Sequence, residues 1–264
     1  MAKDKQRAYS ILGNVAIVNF PDGYTKSEKK KFAFEILKKN KAVSTVLEKS
    51  GKFSGRLRKM KTKHLAGKKT KEVLYRENNC EFRFNIDETY FSPRLSNERK
   101  EIASKIKNGD EVLVMFAGVA PFSIVIAKNS QAAMVYSNEI NKKANEYAKL
   151  NIERNKVKNK VELIPGDIKK VARKLKKKFS VIVMPRPQLK DTFLKEAFEL
   201  SMKGTRVFYY DFCKEDEIEM IAEKVLDEAK KSKKKIKIIS IKRAGEIAPY
   251  KVRCRIDFVV LNNN

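Results

Sequence analysis

Short apolar runs alternate with helical patterns from about residue 95 to the end of the chain, and this alternation constrains the fold more than any other feature. A helix predicted over 95–107 precedes an apolar strand, Val112 to Ala117. Further apolar runs follow at 132–137, 161–164, 180–184, 205–211 and 235–241, with helical stretches between them. This order predicts an α/β fold with a mostly parallel sheet and helices on both faces. The last segment, Val252 to Leu261, alternates apolar and polar residues and predicts an added antiparallel strand.

A smaller α+β region is predicted ahead of this part, which gives two domains, 1–90 and 91–264. Strands are expected at 12–20 and 42–48, with a helix between them at 27–40 that begins at an N-cap, Ser27. Residues 72–86 alternate around Asn78-Asn79 and predict a hairpin. Lys and Arg dominate 52–71, which we expect to be exposed and irregular.

The net charge of +28 comes from 60 Lys and Arg against 32 Asp and Glu, and it predicts a polyanionic partner. A surface that is merely soluble and basic is the alternative. No apolar run reaches the roughly 20 residues that a membrane-spanning helix needs, and no signal peptide opens the chain. We therefore expect no membrane association.

The few cysteines and the single histidine limit the chemistry that is open to the chain. Cys80, Cys213 and Cys254 are far apart in sequence and odd in number, which favours a reducing, cytoplasmic compartment over a disulfide framework. His64 is the only histidine, so a metal site and a histidine base are both poorly supported. Acid or base chemistry is expected from carboxylates, Tyr, Lys or Arg.

Polar or backbone-exposing residues follow four successive predicted strands. The first strand runs into Phe116-Ala117-Gly118-Val119-Ala120-Pro121, where small residues let a ligand approach the backbone. Glu139 ends the second, and an acid there commonly holds ribose hydroxyls. Asp167 follows the third and can accept a hydrogen bond from an adenine amino group, and Met184-Pro185 ends the fourth. Each acid alone is more often a cap or a solvated group, but the series predicts a nucleotide-like ligand at one edge of the sheet.

The stretch from Tyr90 to Arg99, with the sequence YFSPRLSNER, is the other distinctive segment. Arg94 and Glu98 are four residues apart and would lie close together at the first turn of the predicted helix. A simple helix-opening charge pair is the alternative to a functional role.

Taken together, these motifs resemble the archaeal and eukaryotic tRNA (guanine-37-N1)-methyltransferase family, from about residue 10 to the C-terminus. The resemblance is carried by the Tyr90 to Arg99 segment, by Met115 to Ser123, by Gly166-Asp167 and by Ala248-Pro249-Tyr250. It implies a class I (Rossmann-like) methyltransferase domain, S-adenosylmethionine as the methyl donor and tRNA as the partner. It also implies no metal, a monomer, and an RNA-binding or RNA-positioning role for the first domain.

The resemblance also assigns roles to individual residues. Glu98 matches the general base that removes the N1 proton of guanine, and Arg58 matches the arginine that contacts the O6 side. Tyr90, Arg94 and Arg99 match positions that shape the base pocket and its surroundings. The expected catalytic set is Glu98, Arg58, Arg94, Tyr90 and Pro185. The expected cofactor set is Arg99, Phe116, Ala117, Gly118, Val119, Pro121, Glu139, Asp167 and Met184.

Departures from the family pattern leave two alternatives open. The family's extra N-terminal domain is expected to be missing, Pro185 replaces the usual Asn of the fourth-strand motif, and Val114 and Ala120 replace an acid and a glycine. The Pro-x-Pro form resembles an archaeal subgroup of the wyosine (wybutosine) pathway, some of whose members also methylate C7 of 4-demethylwyosine at position 37. The alternative from a different class is a catalytically weak RNA-binding protein on a methyltransferase scaffold.

Overall fold

The computed structural model describes residues 8–51, 55, 60–185 and 189–263, apart from the side chains of residues 8, 262 and 263. The chain divides into two compact units, Met1–Pro93 and Arg94–Asn264. Within the described residues, no helix is both long enough and apolar enough to cross a bilayer.

The first unit is a small α+β fold. Its elements are β1 (Ala8–Leu12), β2 (Val15–Asn19), α1 (Lys26–Lys39), β3 (Thr45–Lys49), β4 (Thr62–Gly67), β5 (Glu72–Glu77) and β6 (Cys80–Asn85). The sheet has the order β1-β2-β3-β4, with β2 and β3 parallel and joined through α1. The β5–β6 pair forms the predicted hairpin, and Asn78 and Asn79 make its turn with φ angles of 47° and 59°.

Local chemistry explains three differences from the predictions for this unit. The predicted strand 12–20 is shorter and forms β2 (Val15–Asn19), because the chain turns after β1 at Gly13, which has a φ of 58° and where a Cβ would meet the Leu74 carbonyl at 1.8 Å. Helix α1 begins after Thr25 rather than Ser27, since Thr25 and Glu28 form a capping box. The basic stretch is not irregular throughout, because β4 lies within it and pairs with β3.

The second unit is the predicted α/β domain. Its helices are α2 (Ser96–Ser104), α3 (Pro121–Asn129), α4 (Lys142–Arg154), α5 (Ile168–Lys174), α6 (Leu194–Glu199) and α7 (Ile218–Lys231), with short 3-10 turns at Pro93–Leu95 and Glu215–Glu217. Its strands are β7 (Glu111–Met115), β8 (Met134–Glu139), β9 (Val161–Pro165), β10 (Phe179–Met184), β11 (Ser201–Lys214), β12 (Lys234–Ala248) and β13 (Lys251–Asn263). The strand order is β12-β13-β11-β10-β7-β8-β9.

The sheet is parallel except for β13, so the predictions of a mostly parallel sheet and an antiparallel last strand are confirmed. Its central strands are buried on both faces, as the continuous apolar runs require. The strand order reverses between β7 and β10, and ligands of open α/β sheets bind where strands end beside such a reversal. We call the side of the sheet on which β7, β8, β9 and β10 end the carboxyl edge.

Candidate active site

The loop after β7 and the acid that ends β8 are joined at the carboxyl edge. The Gly118 N–H donates to Oε2 of Glu139 at 2.8 Å, and the Asn141 N–H donates to Oε1 at 2.7 Å. The predicted residues of the turn therefore lie against the predicted acid.

Asn138 ties three strand ends together and is a site residue that the sequence reasoning missed. Its amide is 2% exposed, and Nδ2 donates to the carbonyls of Ile164 at 2.8 Å and Gly166 at 3.1 Å. The backbone carbonyl of Asn138 accepts from the Ala117 N–H at 2.8 Å. Because a buried amide needs hydrogen-bond partners, the presence of Asn138 in an otherwise apolar strand was the sequence signal that could have identified it.

Asp167 lies next to this cluster and caps a helix. Its Oδ1 accepts from the Lys169 N–H at 3.1 Å at the start of α5. Gly166 precedes it at a φ of 130°, a conformation that favours glycine. The capping role is the ordinary one for an acid in this place, and a role toward adenine would be additional.

Three residues at this edge adopt left-handed backbone conformations that residues other than glycine rarely take. Phe116, Ala120 and Phe193 have φ angles of 58°, 66° and 57°. Ala120 thus takes a conformation that favours glycine, directly before Pro121 opens α3. The rings of Phe116 and Phe193 meet edge to face at 4.9 Å. Strained backbone conformations cluster at binding sites and active sites, and Phe193 was not predicted.

Three of four further predicted positions are buried, and the fourth is half-buried. Val119 is buried, and its carbonyl accepts from the Asn151 amide of α4 at 3.2 Å. Val114 is buried in β7, and Met184 is buried at the end of β10 with half-buried Pro185 after it. The rest of the Pro-x-Pro motif, Arg186 and Pro187, lies outside the described residues.

Glu98 is on α2 and is buried, with both of its oxygens engaged. Oε2 accepts from the Tyr210 hydroxyl at 2.8 Å and from Nη1 of Arg255 at 2.6 Å. Oε1 lies 3.4 Å from Nζ of Lys242. Met184, the last residue of β10, pairs with Tyr209 of the parallel strand β11. Tyr210 follows Tyr209, so Tyr210 and the Glu98 carboxylate that it contacts are level with the carboxyl edge.

Arg255 connects Glu98 to two further carboxylates. Its guanidinium is fully buried and donates to Glu101 at 2.6 Å and to Asp257 at 2.6 and 3.0 Å, besides Glu98. Burial opposes its charge, but hydrogen bonds to Asp257 and Glu101 outweigh this and raise its pKa. We call this set the Glu98 network: Glu98, Glu101, Lys105, Tyr210, Lys242, Arg255 and Asp257.

Arg99 and Arg94 take different places on either side of Glu98. Arg99 is 1% exposed, and its guanidinium lies 5.6 Å from the ring of Phe122, which belongs to the first turn of α3. Arg94 donates to the carbonyl of Glu246 on β12 at 3.3 Å. Tyr90 belongs to the first unit, and Arg58 lies outside the described residues.

Two of the three cysteines are neighbours, although they are distant in sequence. Cys213 on β11 and Cys254 on β13 are free thiols with sulfurs 3.9 Å apart. Burial raises the pKa of Cys254 to about 12, and burial also raises that of Cys213. Two cysteines that are far apart in the sequence are therefore close together in the fold. Among the described residues, no group of three or more His, Cys, Asp or Glu side chains is arranged to hold a metal ion.

Comparison with known proteins identifies the family. The family described as TRM5/TYW2 methyltransferase domain matches residues 73–239, and the TYW2 N-terminal domain matches residues 1–70. The chain belongs to the TRM5/TYW2 methyltransferase family. The resemblance seen in the motifs is thereby confirmed at the level of the family.

Individual members of the TRM5/TYW2 family match most of the chain. The tRNA (guanine(37)-N(1))-methyltransferase Trm5b of Pyrococcus abyssi is 33% identical over 96% of this chain and 74% of its own length. Its crystal structure superposes with a TM-score of 0.84, over 96% of this chain and 75% of that one. Taw22 of Nanoarchaeum equitans, a tRNA (guanine(37)-N(1))/4-demethylwyosine(37)-methyltransferase, is 31% identical over 96% of this chain and 100% of its own length. A structure of aTrm5 in complex with tRNALeu is 27% identical, with a TM-score of 0.82 over 97% of this chain and 72% of that one.

Proposed function

We propose that this chain transfers a methyl group from S-adenosylmethionine to N1 of guanine 37 in tRNA. The observation that carries the proposal is a buried carboxylate, Glu98, level with the same sheet edge at which Glu139 holds the loop after β7. The Trm5b and Taw22 relatives act on this tRNA position by their names, which supports the choice of substrate.

The residues at the carboxyl edge fit an adenosyl group. We assign Glu139 to the ribose hydroxyls, Asp167 to the adenine amino group and the Phe116–Phe193 pair to the face of the purine. Arg99, packed on Phe122, offers a cation for the donor's carboxylate. When bound, the donor supplies a sulfonium-activated methyl group, and this chemistry needs no metal.

The chain supplies the proton chemistry. Guanine N1 carries a proton at neutral pH, so a carboxylate must accept it as N1 bonds to the methyl carbon. The electron pair of the broken carbon–sulfur bond stays on sulfur. Negative charge that develops toward O6 needs a cation, for which the family resemblance gives Arg58, with Tyr90 and Arg94 around the base. The target base must leave the anticodon-loop stack to reach the site.

The basic character of the chain suits a tRNA partner. The net charge of +28 favours binding to a phosphate backbone, and the first unit matches the TYW2 N-terminal domain. We assign that unit the role of positioning the RNA. We place the protein in the cytoplasm, in keeping with three cysteines that form no disulfide, and we expect it to be a monomer.

A direct test uses tRNA transcripts that differ only at position 37. Labelled S-adenosylmethionine should transfer its methyl group to the G37 transcript and not to the A37 transcript, and nucleoside analysis should find 1-methylguanosine. Equal labelling of both transcripts would overturn the site assignment. No labelling of either would favour an RNA-binding protein without catalytic activity.

A second candidate activity is methylation of C7 of 4-demethylwyosine at position 37. It is favoured by the match to Taw22 along that protein's whole length and by Pro185, which cannot donate the hydrogen bond of the usual asparagine. The same assay on tRNA that contains 4-demethylwyosine separates a dual enzyme from one that acts only on G37.

A further inference from the structure

We propose that Arg255 and Tyr210 are positioning residues that hold Oε2 of Glu98, so that Oε1 is the oxygen that accepts the N1 proton. This inference rests on the proposed function, because it assumes that Glu98 is the base. It assigns a role to residues of β11 and β13, on which the motif resemblance placed no chemistry.

The two oxygens of Glu98 have different surroundings. Oε2 accepts two short hydrogen bonds from groups that are at least 99% buried, the Arg255 guanidinium and the Tyr210 hydroxyl. Burial and the negative charge of Glu98 raise the pKa of Tyr210 well above its ordinary value, so its hydroxyl remains a donor. Within the described part of the chain, Oε1 has one charged neighbour, Lys242, at 3.4 Å.

Oε1 is therefore the oxygen that an incoming N–H donor can reach. The Lys242 side chain is one-third exposed and also pairs with Glu101, so it can leave Oε1 without losing its counter-charge. Oε2 cannot be released in the same way, because Arg255 would then lose one of three carboxylate partners in a fully buried position.

The charge balance of the Glu98 network suits a base that must give its proton back. Three carboxylates, Glu98, Glu101 and Asp257, face three cations, Lys105, Lys242 and Arg255. When Glu98 takes the N1 proton, the network gains one positive charge, which favours release of that proton after the transfer. The fixed orientation of Glu98 keeps Oε1 aimed at the incoming proton throughout this cycle.

The test removes one hydroxyl from each of two neighbouring tyrosines. Tyr210→Phe deletes a donor to Glu98, while Tyr209→Phe deletes an equally buried hydroxyl whose 2.6 Å bond goes to Asp211 instead. Single-turnover methylation of G37 tRNA is measured at saturating donor and tRNA, and KM for tRNA is measured at steady state.

The plateau rate of Tyr210→Phe should fall by roughly tenfold, because Glu98 is less well oriented, while KM for tRNA stays within about twofold. Tyr209→Phe should keep the plateau rate of the unmodified protein. Arg255→Lys, which keeps the charge but loses the bidentate guanidinium, should lower the plateau rate with KM for tRNA again nearly unchanged. If Arg255→Lys does not fold, Tyr210→Phe decides the question alone.

A Tyr210→Phe plateau rate equal to that of Tyr209→Phe, with Glu98→Gln inactive, would overturn the inference and leave the proposed function standing. A Glu98→Gln variant that methylates G37 at a normal rate would instead remove Glu98 from the mechanism. The two failures are therefore distinguished by one additional variant measured in the same assay.

Discussion

At the scale of single residues, the proposed mechanism depends on the Glu98 carboxylate. Glu98→Gln keeps the size of the side chain and an acceptor but cannot take the N1 proton. We expect methylation of G37 tRNA to slow by roughly 100-fold or more, the usual contribution of a positioned base, with tRNA affinity nearly unchanged. Single-turnover rates and filter binding measure the two quantities. Near-normal turnover would exclude Glu98 as the base.

Glu139 is the residue whose change should affect the donor alone. Its two oxygens accept from the Gly118 and Asn141 N–H groups, and Glu139→Gln sets an amide NH2 against one of these donors. We expect Kd for S-adenosylmethionine to rise by roughly 10- to 100-fold, from the loss of one or two charge-assisted hydrogen bonds. Isothermal titration calorimetry measures this Kd. Glu111→Gln is the control, because Glu111 pairs with Lys177 at the opposite end of β7. The Kd of the Glu111→Gln variant for S-adenosylmethionine should not change.

At the scale of helices and strands, α2 is attached to β12 and β13 through carboxylates, and this attachment should depend on pH. Burial opposes ionisation of Glu101, but hydrogen bonds from Arg255 and Lys242 lower its pKa from 4.5 to about 2. A lowered carboxylate pKa adds stability that is fully present above about pH 4.5 and is lost as the pH falls toward 2. The Glu101 side chain is 35% exposed, so screening by solvent reduces this contribution to about 1 kcal/mol.

Glu101→Gln should therefore lower the free energy of unfolding by about 1 kcal/mol at pH 6, and the difference from the unmodified protein should vanish toward pH 2. Urea unfolding at several pH values measures it. Glu146→Gln, in an exposed pair with Lys143, should show no such dependence. A difference for Glu101→Gln that stays constant from pH 6 to pH 2 would contradict the assigned coupling.

The elements show how far the sequence was informative. The periodicity of apolar residues predicted the parallel strands and the antiparallel strand β13. The position of acids directly after strands pointed to Glu139 and Asp167. The partners of Glu98 were not predictable, because Tyr210 and Arg255 are 112 and 157 positions away and meet α2 only through the sheet order. The run expected at 235–241 is part of a much longer strand, Lys234–Ala248, because pairing with β13 extends it through a polar stretch. Periodicity reports local pattern, whereas these features depend on pairing between distant segments.

At the scale of the whole molecule, the charge of +28 should dominate affinity for tRNA. The basic segment, residues 52–71, contains Lys59, Lys61 and Lys63. Lys61 is exposed just before β4 and Lys63 is exposed on it, whereas Lys59 lies outside the described residues. Changing all three to Gln removes three positive charges from this segment. We expect Kd to rise for all tRNAs alike, because protein groups that bind phosphates read no base information. The slope of log Kd against log salt should fall by about 1 for each phosphate that the variant no longer neutralises.

The matched control makes the same change in net charge at lysines that already have acidic partners. Lys143, Lys230 and Lys231 pair with Glu146, Asp227 and Glu228 on helix surfaces. If tRNA responds only to overall charge, both triple variants will lose affinity equally; if the basic segment binds phosphates, only the first will flatten the slope. Filter binding across a salt series decides between the two, and an unchanged slope in the first variant would make that segment an ordinary solvated surface. Because the proposed donor site uses none of these three lysines, single-turnover rates at saturating tRNA should stay within about twofold, which separates delivery of the RNA from methyl transfer.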